Sequence, residues 1–215
     1  MKITIVYDNE VAKEGFKADW GFSCLVEVYG KKILFDTGAD GSILFHNMEK
    51  LNIDPTTIEV IIISHAHLDH TGGLSDFLKI NPVRVYIPGS SPKPRGAREV
   101  IAVKEPIKIY ENVFSTGELR TPRALAEQSL VVKMEKGIVV IVGCSHPGVG
   151  SILDAASQFG NPYAIIGGLH GFRDFGLLQN LKLICPTHCT QFKSEIKSRY
   201  PEKYVRGGAG KMIEL

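Results

Sequence analysis

The chain has 215 residues, 44% hydrophobic and 22% charged, with a formal net charge of +2. These proportions suit a globular protein that buries a full core without disulfide staples. The small charge gives no electrostatic case for a nucleic-acid or anionic-membrane partner, and no apolar run approaches a membrane span.

The N-terminus, Met1 to Asp8, alternates like a strand over residues 2–7 and lacks the pattern of a signal peptide. One domain over 1–215 in the cytoplasm is therefore expected. The four cysteines, Cys24, Cys144, Cys185 and Cys189, are expected as thiols. Cys24 lies in an apolar strand, while Cys144 and Cys189 neighbour histidines. They suit small buried neighbours of a metal site better than ligands.

Asn9–Trp20 is polar and reads as a loop, with the single tryptophan at its end expected to lie over the core. Phe22–Tyr29 and Lys32–Phe35 read as a hairpin turning at Gly30. Ser42–Leu51 has helical spacing, with Ser42 as a cap, and contains His46, to which no role is given. The strand Glu59–Ser64 then runs into His65-Ala66-His67-Leu68-Asp69-His70, followed by Thr71-Gly72-Gly73.

This stretch places four potential metal ligands within six residues. In extended backbone, side chains two apart point the same way, so His65 and His67 face one space. Asp69 and His70 follow in a turn, free to aim at a second point. One ion takes three or four protein ligands, so a motif this dense suggests two adjacent ions sharing a cleft.

Further along, Gly73–Ile80 reads as a short helix and Val83–Ile87 as a strand. Pro88–Glu99 is loop chemistry carrying Lys93, Arg95 and Arg98. It reads equally as a solvated surface loop or as a basic lid over an anionic substrate. Short strands are predicted over 100–103, 107–110 and 113–115, then over 129–134 and 137–142. The last of these leads to His146. A helix over 151–159 precedes a strand, 163–166, leading to His170. A helical turn over 172–180 precedes a strand, 181–185, leading to His188. A helix from Thr190 to Tyr200 and a glycine-interrupted strand, 205–215, complete the chain. Six of the seven histidines thus sit at strand ends followed by turn signals, where ligands gather in α/β proteins.

Four motifs carry a family resemblance: LFDTG at 34–38, SHAHLDHTGG at 64–73, GCSHPG at 143–148 and THCT at 187–190. Together they resemble the metallo-β-lactamase superfamily. WGFSCLVE, EQSLVV and GGLH point within it to a branch similar to dihydropterin ribofuranosyl-aminobenzene phosphate synthase-like proteins. The resemblance implies a four-layer αββα sandwich of two mixed β-sheets with a metal cleft along one edge.

It further implies that His65, His67 and His146 bind one metal and that Asp69, His70 and His188 bind a second. Asp36 would hydrogen-bond a ligand histidine. Most hydrolases of the superfamily carry a bridging aspartate where this chain has Gly168-Leu169-His170. The second metal is therefore expected to bind less tightly, and the cleft to favour an anionic, phosphorylated small molecule. Zinc is the first choice from nitrogen-rich ligation, with manganese or iron as alternatives. A metal-activated water would be the nucleophile, oriented by Asp69, with His170 polarising the substrate. The reaction is expected to be hydrolysis or a pterin-related transfer. A metal-binding or sensing protein without turnover is the competing class. An RNA-processing nuclease is disfavoured by the near-neutral charge, and the oligomeric state is left open.

Overall fold

A computed structural model describes residues 1–121 and 125–215. Two mixed β-sheets pack face to face with helices on their outer sides. In chain order the first half comprises β1 (Lys2–Tyr7), β2 (Ser23–Val28), β3 (Lys31–Phe35), α1 (Gly41–Lys50), β4 (Val60–Ile62), α2 (Leu68–Thr71), α3 (Leu74–Ile80), β5 (Arg84–Pro88) and β6 (Glu99–Val103). The second half comprises β7 (Ile107–Tyr110), β8 (Val113–Ser115), β9 (Leu119–Arg120), β10 (Ala126–Glu127), β11 (Leu130–Met134), β12 (Gly137–Val142), α4 (Val149–Ser157), β13 (Pro162–Gly168), β14 (Leu183–Thr187), α5 (Lys193–Arg199) and β15 (Met212–Glu214).

The first sheet has the order β15-β1-β2-β3-β4-β5-β6, and the second β14-β13-β12-β11-β8-β7. Antiparallel hairpins build β1 to β3, whereas β3 to β6 run parallel. Likewise β12, β13 and β14 are parallel neighbours. Parallel strands aligned this way bring their C-terminal ends to one edge, and the histidines follow those ends.

The apolar residues sort into three layers. Ile3, Ile5, Cys24, Val26, Phe35 and Ile62 meet Leu130, Val132, Ile141 and Ile166 between the sheets. Leu44 and Met48 of α1, with Phe77 of α3, pack on the outer face of the first sheet. Ile152 of α4 and Ile196 of α5 cover the second. Strands sandwiched in this way are buried on both faces, which explains their near-continuous Val/Ile runs.

Several boundaries differ from those predicted. Helix α1 is capped by Asp40, not Ser42: its Oδ1 accepts from the Ser42 and Ile43 N–H groups at 2.6 and 3.2 Å. Asp69 and His70 lie in a one-turn helix, α2, rather than a simple turn. Only Phe175–Leu178 is helical within 172–180, as a single 3-10 turn. Helix α5 begins at Lys193 because the Thr190 hydroxyl is engaged elsewhere, accepting from Leu169 N–H and donating to Thr187 O. The final strand is confined to 212–214, after glycines 207, 208 and 210.

Candidate metal centre

The first half of the site is fixed by backbone contacts that hold α2 against the start of β2 and the end of β3. Phe22 N–H donates to Asp69 O, and both the N–H and the hydroxyl of Thr37 donate to His70 O. Gly72 makes the close approach possible, because a Cβ there would lie 2.0 Å from Ala39 O. Buried Asp36 then ties β4 to α2. Its Oδ1 accepts from Ser64 N–H at 2.6 Å, and its Oδ2 accepts from the Ser64 hydroxyl and from His70 Nδ1, both at 2.7 Å. Burial pushes Asp36 up to about 7, against the pull of His65 and of the two Ser64 donors.

The second half comes from the strand ends of the other sheet. Glu127, fully buried on β10, receives the Cys144 and Ser145 N–H groups on Oε1 and the His146 N–H and Nδ1 on Oε2, the last at 2.9 Å. Burial opposes its charge, but the hydrogen bond from His146 and the proximity of His65 bring Glu127 down to about 2. His188 is oriented by the loop after β1. Its N–H donates to Asp8 Oδ1 and its Nδ1 lies 2.8 Å from Asn9 Oδ1. Asp36, Ser145, His170 and His188 all have φ between 45° and 60°, in the left-handed region. Such backbone persists only where the surroundings over-determine it, and it clusters at functional sites.

These partners fix where the imidazole protons sit. Asp36, Glu127 and Asn9 Oδ1 are acceptors, so His70, His146 and His188 carry their protons on Nδ1. Ser64 Oγ donates to Asp36 and so accepts from His65 Nδ1 at 2.9 Å. Four Nε2 lone pairs are left for the cleft. His65 Nε2 lies 3.1 Å from His67 Nδ1, and His70 Nε2 lies 3.1 Å from Cys144 Sγ. His188 Nε2 is buried with no hydrogen-bond partner, although Asp69 Oδ2 is 3.1 Å away. A lone pair held against a carboxylate is unfavourable unless a cation lies between them. The donor set therefore fits metal ions.

Burial and the neighbouring His70 hold His65 at about 3, and burial with the neighbouring His188 does the same to His70. Both rings are thus neutral, as ligation requires. Asp69 is held below the ordinary carboxylate range despite burial, by the approach of His188 and the proximity of His70. Among the described residues, two groups place all their donor atoms within 4.8 Å of one another: Asp69, His70, Cys144 and His188, and His65, Cys144 and His146. His67 adjoins the second group through His65. The thiol of Cys144 is pushed up by its hydrogen bond with Cys189 and by burial.

His170 belongs to neither group. Its ring lies 5.2 Å from that of His146, on the wall of a cleft of about 1020 Å³. Thr121, Leu125, Ser145, Val149, Leu169 and Phe172 also line that cleft. The predicted basic loop lies elsewhere: Lys93 and Arg95 line a separate hollow of about 270 Å³ behind Ala66 and Thr71, and exposed Arg98 donates its N–H to Val83 O. Trp20 is not over the core. It is 58% exposed, with its ring 5.0 Å from that of His188. His46 contacts Gly15 O, away from the centre. Glu127 and Asn9 are the orienting residues that sequence reasoning missed. Glu127 stood inside the EQSLVV motif, but nothing in the linear pattern tied it to His146.

A family model for the metallo-beta-lactamase superfamily matches residues 21–172. A curated relative in Methanocaldococcus jannaschii, 7,8-dihydropterin-6-methyl-4-(beta-D-ribofuranosyl)-aminobenzene-5'-phosphate synthase, is 29% identical over 99% of this chain and 95% of its own length. The crystal structure of a metal-dependent hydrolase of the beta-lactamase superfamily superposes with a TM-score of 0.79 at 26% identity, over 100% of this chain and 99% of that one. The metallo-beta-lactamase fold protein YhfI from Bacillus subtilis shares the fold at 13% identity, with a TM-score of 0.69 over 100% of this chain and 99% of its own.

Proposed function

The chain belongs to the metallo-beta-lactamase superfamily, and from that premise we propose that it is a metal-dependent enzyme acting on a small, anionic substrate. The observation that carries this reading is the set of imidazoles anchored through Nδ1, whose Nε2 atoms converge on Asp69 and Cys144. In this reading His65, His67 and His146 hold one ion, and Asp69, His70 and His188 hold a second. Zinc suits the nitrogen-rich donors best, with manganese or iron as alternatives. Bound divalent ions supply Lewis acidity and bring the pKa of a water toward neutrality.

The chain's own residues do the rest. Asp69 orients the attacking water and takes its proton, being ionised and still reached by solvent beside His70 and His188. His170, on the wall beside His146, positions and polarises the substrate. Leu125, Val149, Leu169 and Phe172 offer apolar walls to a ring system, while Ser145 and Thr121 offer polar contacts. One relative's name ends in 5'-phosphate synthase, which favours a phosphorylated, pterin-related substrate here as well. A further role for Lys93, Arg95 and Arg98 is outer attraction of an anion, since they do not line the large cleft.

The test is turnover of phosphodiesters, lactones, thioesters and phosphorylated pterins, with metal-loaded and chelated protein. Turnover should depend on metal, and Asp69→Ala should reduce it by about a hundredfold or more. Full activity of Asp69→Ala, or turnover indifferent to chelation, would overturn the reading.

A further inference from the structure

One atom belongs to both donor groups. The Cys144 sulfur gathers with Asp69, His70 and His188 on one side, and with His65 and His146 on the other. It lies 3.1 Å from His70 Nε2, whose Nδ1 is already committed to Asp36. Its placement is built in. The Cys144 N–H donates to Glu127 Oε1 at 3.0 Å, and the other oxygen of that carboxylate orients His146. Cys24 and Cys185 provide the contrast, since both are packed among aliphatic side chains between the sheets.

Charge points to the same atom. Two divalent ions bring four positive charges, and within the two groups Asp69 is the only carboxylate. Asp36 and Glu127 stand behind histidines, on the Nδ1 side. Neighbouring cations repel strongly in a dry site, and an anionic donor reaching both relieves that repulsion. Thiolate is a strong ligand for zinc and other soft or borderline metals, and coordination deprotonates a thiol outright.

Building on the two-ion reading above, we infer that Cys144, as the thiolate, is the ligand shared by the two metal positions. The S–H bond breaks as sulfur–metal bonds form, the proton leaves to solvent, and no redox change occurs. The cleft keeps a net positive charge, so the preference for an anion stands.

Cobalt(II) titration of the metal-free full-length chain tests this by a readout independent of turnover. A sulfur-to-cobalt charge-transfer band should appear with the first equivalent and change again with the second. Cys144→Ser should lose the band and bind the second equivalent at least about tenfold more weakly. Cys189→Ser should keep both. A wild-type protein that takes up two cobalt ions without the band would overturn the inference alone, as would a band that survives in Cys144→Ser. So would a wild-type band complete at one equivalent and unchanged by the second. A wild-type chain that binds no cobalt at all would instead overturn the metal-enzyme reading on which the inference stands. The wild-type titration decides even if Cys144→Ser fails to fold.

Discussion

Glu127 and His146 are joined twice, with one carboxylate oxygen accepting both the backbone N–H of His146, at 3.0 Å, and its Nδ1, at 2.9 Å. The side chain and the strand end that carries it are thus aimed by a single buried atom. Carboxylates behind ligand histidines raise ligand basicity and fix ring orientation. Glu127→Gln keeps the shape but removes the charge. It should weaken metal binding by about 10–100-fold, measured by competition with a chromophoric chelator, while the circular dichroism spectrum stays native. An affinity within twofold of the parent would remove Glu127 from the site.

The buried histidines make the metal-free chain sensitive to acid. His65 and His70 sit at about 3 when folded, against 6.5 ordinarily. Below pH 6.5 the unfolded chain therefore takes up two protons that the folded chain refuses, and stability falls as pH drops. Asp36, raised to about 7, works the other way between pH 7 and 3.8, and raised His146 also favours the folded state in acid. Below 4.5 the lowered Glu127 adds to the loss. Urea midpoints of the metal-free protein should decline from pH 7 toward pH 5 and more steeply below pH 4.5. A flat profile would contradict the assignment of neutral rings.

Trp20 is the only tryptophan, and its ring lies 5.0 Å from that of His188. Its emission should change when metal binds beside His188, and His188→Ala should abolish the change. Because the side chain is mostly exposed, Trp20→Ala should alter stability by no more than about 0.5 kcal/mol. A chemical denaturation curve shifted by several kcal/mol would instead restore the core role expected from sequence.

Gly72 and Gly30 should be destabilised by a methyl group for different reasons. At Gly72 the new Cβ would meet Ala39 backbone at 2.0 Å, so Gly72→Ala should destabilise by about 1–3 kcal/mol or more. At Gly30 the space is open, and the cost is confined to the left-handed φ of 73°. Equal urea midpoints for Gly72→Ala and the parent would show that α2 is not tightly seated on the Ala39 backbone.

Strands such as β1, β7, β8 and β12 could be read to the residue, because runs of Val and Ile stop sharply at turn residues. Helix starts were less legible. Asp40 and Ser42 are both good capping residues, and only the backbone geometry decides between them. The spacing of His65, His67, Asp69 and His70 announced a metal motif, since period-two geometry dictates where the side chains point. The residues that orient it were silent. Asn9 lies 179 positions from the ring it holds, and Glu127 lies 19 before His146 on a two-residue strand. Such pairings arise from how the sheets stack, which no local pattern encodes. Trp20 was misplaced for a related reason: a large aromatic at a loop end suits a core lid as well as a cleft rim.

The donors hang from different sheets: His65 and His70 follow β4, whereas His146 and His188 follow β12 and β14. Protein-only ties across this seam include Gln128, whose Nε2 donates to Ile63 O and whose N–H donates to Ser64 O. Ions bound across the same seam would act as rivets, closing the long chain loops from His65 to His146 and from His70 to His188 and restricting the unfolded ensemble accordingly. Stripping them would then do more than silence chemistry. It would leave the two halves of the sandwich freer to part, so the metal-free chain should be the faster one to unfold and the easier one for a protease to cut.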